Sequence, residues 1–215
     1  MLPGLKSLGH LQGIAVAFAV ISVHAQQSPA PPPTGLPLIP AITANKGLDG
    51  DALLQALRKG GFVLYLRHAE TGPTSEDCTL TNLTAKGRDD AKGIGDAIRM
   101  LKIPIGRVIS SDVCRAQETA RLTNVGMVEI DEDLHRMPKR PDHKFHEARA
   151  KLIATPPKAG TNTLLAGHIH FGNGEDQRLF IDMAGIIVFR PQGGGPPDVV
   201  ARIRVEEWAK LQISR

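Results

Sequence analysis

Short apolar runs alternating with amphipathic segments are the feature of this sequence that most restricts its fold. Runs such as Phe62–Leu66 (FVLYL) and Thr163–Ala166 (TLLA) are continuous and apolar, as strands buried on both faces are. Between such runs, apolar residues recur at helical spacing, as in Ala91, Ile94 and Ile98. Because strands that alternate with helices form parallel sheets covered by helices, the pattern predicts an α/β three-layer sandwich with a mostly parallel central sheet.

The predicted elements can be placed along the chain from these patterns. The helices are predicted at 51–58, 84–103, 112–122, 142–154 and 206–213, and the strands at 62–66, 107–110, 127–130, 163–166, 186–189 and 199–205. Thr84 and the pair Ser111–Asp112 are the predicted N-caps of two helices. In a sheet of this kind ligands bind at the carboxyl ends of the strands.

The beginning of the chain has a different composition from the rest. No Lys, Arg, Asp or Glu occurs from Ser7 to Asn45. Residues 1–25 combine one early Lys, a short apolar run and a small-x-small ending, the pattern of a secretory signal peptide. A membrane anchor is the alternative, but a spanning helix needs about 20 apolar residues and the run is shorter. We therefore expect an exported protein, periplasmic or secreted, with no stable membrane insertion after signal cleavage.

A proline-rich segment separates this predicted signal from the rest of the chain. Residues 26–46 hold six of the 16 prolines, which favour extended polyproline geometry. We interpret 26–46 as a linker and 47–215 as one folded domain. The net charge of +4 is small for 215 residues, and only 4% of residues are aromatic. Both values argue against a nucleic-acid binder, which needs a strong basic face and aromatic stacking platforms.

Polar motifs stand at three predicted strand ends. Arg67 and His68 follow the first apolar strand, and Gly167–His168 follows a later one. Between them, Ser110–Thr119 (SSDVCRAQET) leaves a strand and enters a helix, with Arg115 in the first turn. A helix N-terminus and an arginine together favour an anion. The sequence therefore predicts an anion site at this edge of the sheet.

These three motifs resemble those of the histidine phosphatase superfamily, in its phosphoglycerate mutase-like branch. The resemblance runs from about Asp51 to the C-terminus and implies the three-layer fold of that branch. It implies that His68 is the nucleophile, which carries the phosphoryl group as a phosphohistidine. It also implies that Arg67, Arg115 and His168 surround the phosphate of a small phosphorylated substrate, with no metal and no cofactor. Fixed cations at that place stabilise the charge on the oxygens during transfer.

One part of the family pattern is missing. Mutase-like members carry a proton-donating Glu after a strand, in a Leu-x-Glu context, and Arg136 occupies that position here. Other branches place an Asp directly after the second histidine, where this chain has Ile169. The general acid is therefore unknown. The candidates are the carboxylates near the motifs, namely Glu70, Glu118, Asp131, Glu132 and Asp133.

Cysteines and further histidines allow two other kinds of site. Cys78 and Cys114 are the only cysteines, and an even count in an exported protein favours a disulfide between them, with two free thiols as the alternative. His168 and His170 share a face if the strand continues, but without further ligands we do not expect a metal site. His143 and His146 are interpreted as solvated residues of a helix.

The resemblance and the missing acid lead to two functional hypotheses. The first is a phosphomonoesterase that hydrolyses phosphate esters or phosphohistidine through a phosphohistidine intermediate. The second is a catalytically impaired phosphate-binding or regulatory pseudoenzyme with the same fold. A mutase reaction is disfavoured because its sugar-phosphate substrate is cytosolic and because the chain lacks the insertion usual in mutases.

Overall fold

The computed structural model describes residues 47–135, 145–168, 181–193, 195–208 and 210–212. The helices are α1 (Gly50–Lys59), α2 (Ala85–Met100), α3 (Cys114–Thr123) and α4 (Phe145–Ala154). The strands are β1 (Val63–Arg67), β2 (Ile105–Ser110), β3 (Val128–Ile130), β4 (Asn162–Gly167), β5 (Ile186–Arg190) and β6 (Asp198–Ile203). Short 3-10 segments cover Glu132–Leu134, Val205–Glu207 and Lys210–Gln212.

The six strands form one mixed sheet in the order β3-β2-β4-β1-β5-β6. The pairs from β3 to β1 are parallel, and β5 runs antiparallel to both β1 and β6. The predicted α/β class with a mostly parallel sheet is thus confirmed. The two central strands, β1 and β4, are paired with Arg67 opposite Gly167. Their carboxyl ends therefore lie side by side, and both of the predicted histidines follow directly.

Apolar side chains of the sheet pack on both of its faces. In β1, Leu64 and Leu66 belong to a core cluster that includes residues of α1, α2 and α3. Val63 and Tyr65 belong to a second cluster on the opposite face, which includes Ile153 of α4. This alternation follows from the two-residue period of a strand. It accounts for the continuous apolar runs in the sequence, because a strand covered on both faces has no polar side.

Two predicted helix features are wrong, and one is confirmed. Thr84 caps α2, and its hydroxyl oxygen accepts a hydrogen bond from the Gly87 amide at 3.0 Å. The Ser111–Asp112 pair does not cap α3, which begins after Val113 with no side-chain cap. The predicted closing helix at 206–213 is replaced by the two 3-10 segments. Trp208 and Leu211, three residues apart, are both buried, and a 3-10 turn of three residues places them on one side.

Several predictions concern residues outside the described ranges. The signal peptide, the linker, Arg136, His143, Ile169 and His170 lie there. His146 lies in α4, but its side chain is not described. None of the helices in the described ranges is both long and apolar enough to cross a membrane.

Candidate active site

The ends of β1 and β4 bring two histidines together. His68 and His168 each follow the last residue of their strand, and their ring centroids lie 5.3 Å apart in an edge-on arrangement. The His68 amide donates to the Gly167 carbonyl at 3.0 Å, which continues the strand pairing to the site itself. Both residues are buried, with 8% of His68 and 2% of His168 exposed. Their positions are therefore fixed by the sheet and not by a loop.

The ring orientation of His68 is determined by a single backbone contact. Its Nδ1 lies 3.0 Å from the Ala69 carbonyl oxygen. Because a carbonyl oxygen can only accept, Nδ1 carries the proton and Nε2 carries the lone pair in the neutral ring. The pKa of His68 is lowered to about 4, mainly by burial, against the opposing effect of the Ala69 contact and with smaller contributions from the charges of Arg115 and Arg67. At neutral pH the ring is therefore an uncharged nucleophile.

His168 has the opposite tautomer. Its Nδ1 lies 3.3 Å from the Arg115 guanidinium, which can only donate, so Nδ1 accepts and Nε2 carries the proton. Nε2 in turn donates to the Ser111 hydroxyl oxygen at 3.2 Å. Burial lowers the pKa of His168 to about 2, with Arg115 as the next cause and His68 after it. His168 is therefore also neutral, and it orients the Arg115 guanidinium next to the nucleophile.

Arg67 and Arg115 supply positive charge to His68 from two different elements, β1 and α3. Both are close enough to His68 to lower its pKa electrostatically. Arg67 donates to the Ile181 carbonyl at 2.8 Å, so it is held by the segment that leads into β5. Arg115 is the second residue of α3, whose N-terminus also attracts anions. Two guanidiniums and two neutral imidazoles make a site suited to a multiply charged anion such as a phosphate group.

Other residues of the predicted motifs hold the strand ends in place. The Thr119 hydroxyl accepts from the Ala69 amide at 3.0 Å and donates to the Arg115 carbonyl at 2.7 Å. The residue after the nucleophile is thereby tied to the helix that carries the anion-binding arginine. The Thr84 amide donates to the Glu70 carbonyl at 3.0 Å, and a side chain at Gly87 would collide with that backbone. These motif residues therefore fix the backbone around His68.

The Tyr65 hydroxyl is hydrogen-bonded to the backbone of His168, a role that the sequence did not predict. Its hydroxyl donates to the His168 carbonyl at 2.9 Å and accepts from the His168 amide at 3.0 Å. A Cβ at Gly167 would lie 2.4 Å from this hydroxyl, so only glycine leaves room for the contact. The one sequence feature that could have pointed to this role is the tyrosine hydroxyl, a single polar side-chain atom inside the apolar run FVLYL. Burial raises the pKa of Tyr65, so the hydroxyl keeps its proton.

Three of the acid candidates have structural contacts. The Glu118 carboxylate accepts from the backbone amides of Asn82 and Leu83, at 2.6 and 3.0 Å. Glu70 accepts from the Thr84 hydroxyl at 2.7 Å, and Asp131 accepts from the Asp133 amide at 2.9 Å. Glu132 and Asp133 lie in the 3-10 segment after β3, where Glu132 is exposed.

A disulfide joins the loop after the nucleophile to α3. Cys78 and Cys114 are bonded, with their Cα atoms 4.6 Å apart. Cys114 directly precedes Arg115, and the loop around Cys78 is also held by Arg121, which donates to the Cys78 carbonyl at 3.3 Å. The pairing considered in the sequence analysis is thus the one that the structure contains, and it lies one residue from the anion site.

A second histidine–carboxylate pair lies beside Ser111. His135 Nδ1 is 2.6 Å from the Asp112 carboxylate, and both side chains are mostly buried. The buried Arg149 of α4 donates to the carbonyl oxygens of Asp133 and His135. Neither His135 nor Arg149 was singled out from the sequence, because neither belongs to a motif.

Within the described ranges, no three His, Cys, Asp or Glu side chains are grouped closely enough to hold a metal ion. The pair His168 and His170 cannot be assessed as ligands, since His170 lies outside those ranges.

Comparison with known proteins agrees with this geometry. Residues 63–138 match the family model of the histidine phosphatase superfamily (branch 1). This range contains the Arg67–His68 and Arg115 motifs, and the resemblance stated from the sequence is confirmed. No curated protein matches the chain significantly.

Solved structures with the same fold are distant in sequence. The protein histidine phosphatase SixA in complex with tungstate is 14% identical, with 68% of this chain and 98% of that chain covered and a TM-score of 0.53. SixA from Agrobacterium tumefaciens is 18% identical over 67% of this chain and 98% of its own, with a TM-score of 0.49. A phosphoserine phosphatase mutant from Entamoeba histolytica, in complex with phosphoserine, is 14% identical over 67% and 98%, with a TM-score of 0.46. At such identities the likeness concerns the fold.

Proposed function

We propose that this chain, a histidine phosphatase superfamily sequence on the corresponding fold, is a phosphomonoesterase that works through a phosphohistidine on His68. The observation that carries the proposal is the state of His68. Its ring is neutral, its Nδ1 is occupied by the Ala69 carbonyl, its Nε2 keeps the lone pair, and the charges of Arg115 and Arg67 act on the ring. A nucleophile in that setting attacks a centre whose surrounding oxygens carry negative charge, which is the chemistry of a phosphoryl group.

The proposed reaction has two steps. His68 Nε2 attacks phosphorus, and the bond to the leaving oxygen breaks. Water then attacks the phosphohistidine and releases inorganic phosphate. Arg67, Arg115 and His168 bind the phosphoryl oxygens throughout, and the planar arginine side chains can each donate two parallel hydrogen bonds. Small phosphate esters and phosphohistidine are the proposed substrates, because Arg67 and Arg115 provide charge for one phosphate group. We propose that neither a metal nor a cofactor takes part.

The test is a panel of phosphoesters, including an aryl phosphate, assayed with the wild type and with His68→Ala. We expect hydrolysis by the wild type and complete loss in the variant. His68→Asn is the matched second variant, because its amide can still donate to the Ala69 carbonyl while Nε2 is gone. Rapid acid-free quenching with radiolabelled substrate should trap a phosphoprotein in the wild type only. Activity that survives both substitutions contradicts the proposed nucleophile, and a rate lost in EDTA contradicts the metal-free mechanism.

A second candidate function is supported by one observation. Arg136 occupies the position at which mutase-like relatives carry a proton donor. If nothing replaces that donor, the chain is a phosphate-binding pseudoenzyme of the same fold. Calorimetry with inorganic phosphate separates the two cases: binding without turnover of any ester supports the pseudoenzyme, and turnover rejects it.

We also propose that the protein is exported before it acts, in the periplasm or outside the cell. The support is the signal-like segment 1–25, followed by the proline-rich 26–46. Mass spectrometry of the protein from its native compartment should give a chain that begins at Gln26. A cytoplasmic protein that retains Met1 contradicts this proposal.

A further inference from the structure

The missing proton donor leaves a chemical gap in the proposed reaction. An alkoxide or phenoxide that leaves phosphorus needs a proton, and a positioned general acid contributes 10²–10⁴-fold to such a step. The arginine at the family position stays protonated at any working pH, so it cannot give up a proton. The described residue next to it is His135. Imidazole is the side chain whose ordinary pKa lies nearest to neutral pH, which makes it a suitable donor.

The position of His135 results from the order of the strands. β3 pairs with β2 at the sheet edge, and the Asp131 amide donates to the Ser110 carbonyl at 2.9 Å just beyond the pairing. The 3-10 segment that follows brings His135 back toward Ser111 and Asp112, at the carboxyl end of β2. His135 thus lies at the same edge of the sheet as the two strand-end histidines.

A carboxylate orients the ring. The His135 Nδ1 proton is donated to the Asp112 carboxylate at 2.6 Å, which leaves Nε2 as the other protonatable atom. Asp112 is adjacent to Ser111, whose hydroxyl contacts His168 Nε2 at 3.2 Å. The pair is therefore linked to the anion site through one intervening side chain. No other described residue forms a hydrogen bond with the ring of His135.

The backbone around the ring is held firmly. Leu134 is fully buried in the cluster that contains Tyr65. Arg149, 1% exposed, donates to the carbonyl oxygens of Asp133 and His135. About a quarter of the His135 side chain remains accessible, at 24%. A ring that is fixed on one side and open on the other is suited to proton exchange with a bound group.

The charge of His135 also reaches the anion site, since it is among the causes that lower the pKa of His168. The charged or titratable groups that face this region are Asp112 beside the ring, Arg149 behind its backbone, and His168 and Arg115 across the pocket.

We propose that His135, oriented by Asp112, is the general acid that protonates the leaving oxygen. The inference rests on the proposed phosphohistidine mechanism. In the first step His68 Nε2 forms a bond to phosphorus, the P–O bond breaks with its electron pair on oxygen, and the Nε2 proton of cationic His135 moves to that oxygen. In the second step neutral His135 takes a proton from water as the hydroxyl oxygen bonds to phosphorus. The P–N bond electrons return to His68, and His135 is cationic again.

The test is the leaving-group dependence of kcat/KM, measured on the full chain with phenyl phosphates that carry different ring substituents. The variant His135→Asn keeps a donor to Asp112 at the Nδ1 position and removes Nε2. We expect a loss of 10²–10⁴-fold on unsubstituted phenyl phosphate, shrinking steadily as the leaving phenol becomes more acidic. His135→Gln is the second variant, in case the first does not fold. Glu132→Gln tests the competing carboxylate and should retain the wild-type dependence. Glu129→Gln, at an exposed residue of β3 that pairs with Arg107, is the matched control and should retain it too.

The possible outcomes separate this inference from the proposed function. A steeper leaving-group dependence in the His135 variants, with the control unchanged, supports it. A uniform loss on all esters, or no loss, overturns the inference and leaves the nucleophile proposal intact. A steeper dependence in Glu132→Gln assigns the acid to the carboxylate and also overturns it. A wild type that hydrolyses none of the esters removes the proposed function and this inference together.

Discussion

Two buried histidines that stay neutral beside two arginines are the central feature at the scale of residues. Burial and the adjacent guanidiniums both lower the pKa values of His68 and His168. The site therefore carries net positive charge, and the Nε2 atom of His68 carries no proton. An incoming phosphate finds cations already in place, and the attacking lone pair does not have to be freed first.

These pKa shifts predict a pH-dependent stability. Above an unfolded pKa of about 6.5, both histidines are neutral in either state and stability is complete. As pH falls below this value, the two histidines bind protons in the unfolded chain but not in the folded chain. The free energy of unfolding therefore decreases until the folded pKa values are reached. Each histidine should contribute a loss of about 2 kcal/mol between pH ~6.5 and ~5. Urea unfolding at these two pH values should show a smaller loss for His68→Asn than for the wild type.

The free energies of unfolding at the two pH values are compared within each protein, so a general loss of stability in the variant does not affect the result. An equal pH dependence for His68→Asn and the wild type would contradict the neutral buried nucleophile.

A second prediction at this scale concerns Tyr65. The substitution Tyr65→Phe leaves the His168 amide and carbonyl without their shared partner inside the core, which should cost about 1–3 kcal/mol. Because His168 then loses its support, kcat should fall as well. Urea unfolding and steady-state kinetics measure the two effects.

Thr123→Val is the matched control for Tyr65→Phe. It removes a buried hydroxyl that donates to the Ala120 carbonyl at 2.7 Å, at the far end of α3. This control should lose stability without losing kcat. If both variants keep full activity, Tyr65 does not position His168.

Sequence reasoning identified the residues whose chemistry is visible in their own motif. Arg67, His68 and Arg115 stand at strand and helix ends, where a charged side chain needs a reason other than packing. Tyr65 was missed because its hydroxyl interrupts an apolar run by one atom only. His135 was missed because its partner Asp112 is 23 residues away, and only the return of the chain after β3 brings them together.

At the scale of elements, α3 is the part that connects the loop, the nucleophile and the anion site. Its first residue forms the disulfide, its second is Arg115, and the Thr119 hydroxyl one turn later accepts from the Ala69 amide, directly after His68. Glu118 on the same helix holds the backbone of the 71–83 connection. The helix α3 therefore fixes the positions of three parts of the chain: the loop at Cys78, the backbone after His68 and the end of the 71–83 connection.

The disulfide of this helix gives a prediction about stability. Reduction should lower the free energy of unfolding by about 2–4 kcal/mol, since the bond closes a long loop in the unfolded chain. Unfolding curves with and without a thiol reductant measure the change. The double variant Cys78→Ser with Cys114→Ala is the control and should not respond to the reductant. Identical curves for the oxidised and reduced wild type would reject the bond in solution.

Most element types were predictable, whereas the start of α3 and the type of the C-terminal segment were not. The strand runs and helical stripes are set by burial, which repeats every two residues or every three to four along the chain. The helix α3 begins after Val113, and the Ser111 hydroxyl contacts both the Val113 amide and His168, at 3.2 Å each. The C-terminal segment depends on where Trp208 and Leu211 find space in the core. Both features result from tertiary contacts, which cannot be predicted from local sequence propensity.

At the scale of the whole molecule, the buried core of the described residues draws on nearly their whole range. The cluster that covers the sheet begins at Leu53 and extends to Leu211. We therefore predict that a fragment of residues 47–215 folds with the same thermal unfolding midpoint and the same kcat/KM as the chain that begins at Gln26. A lower midpoint for the shorter fragment would mean that residues 26–46 contribute to the fold.

The central position of β1 has a consequence for the synthesis of the protein. Both of its neighbours in the sheet, β4 and β5, come later in the chain, and Tyr65 and His168 are 103 residues apart. At ~5–20 residues per second, a ribosome takes about 5–20 s to travel that distance. During this interval β1 has no strand on either side, and the nucleophile motif has no partner histidine. On the proposed function, a complete phosphate site would therefore form only after His168 has been translated.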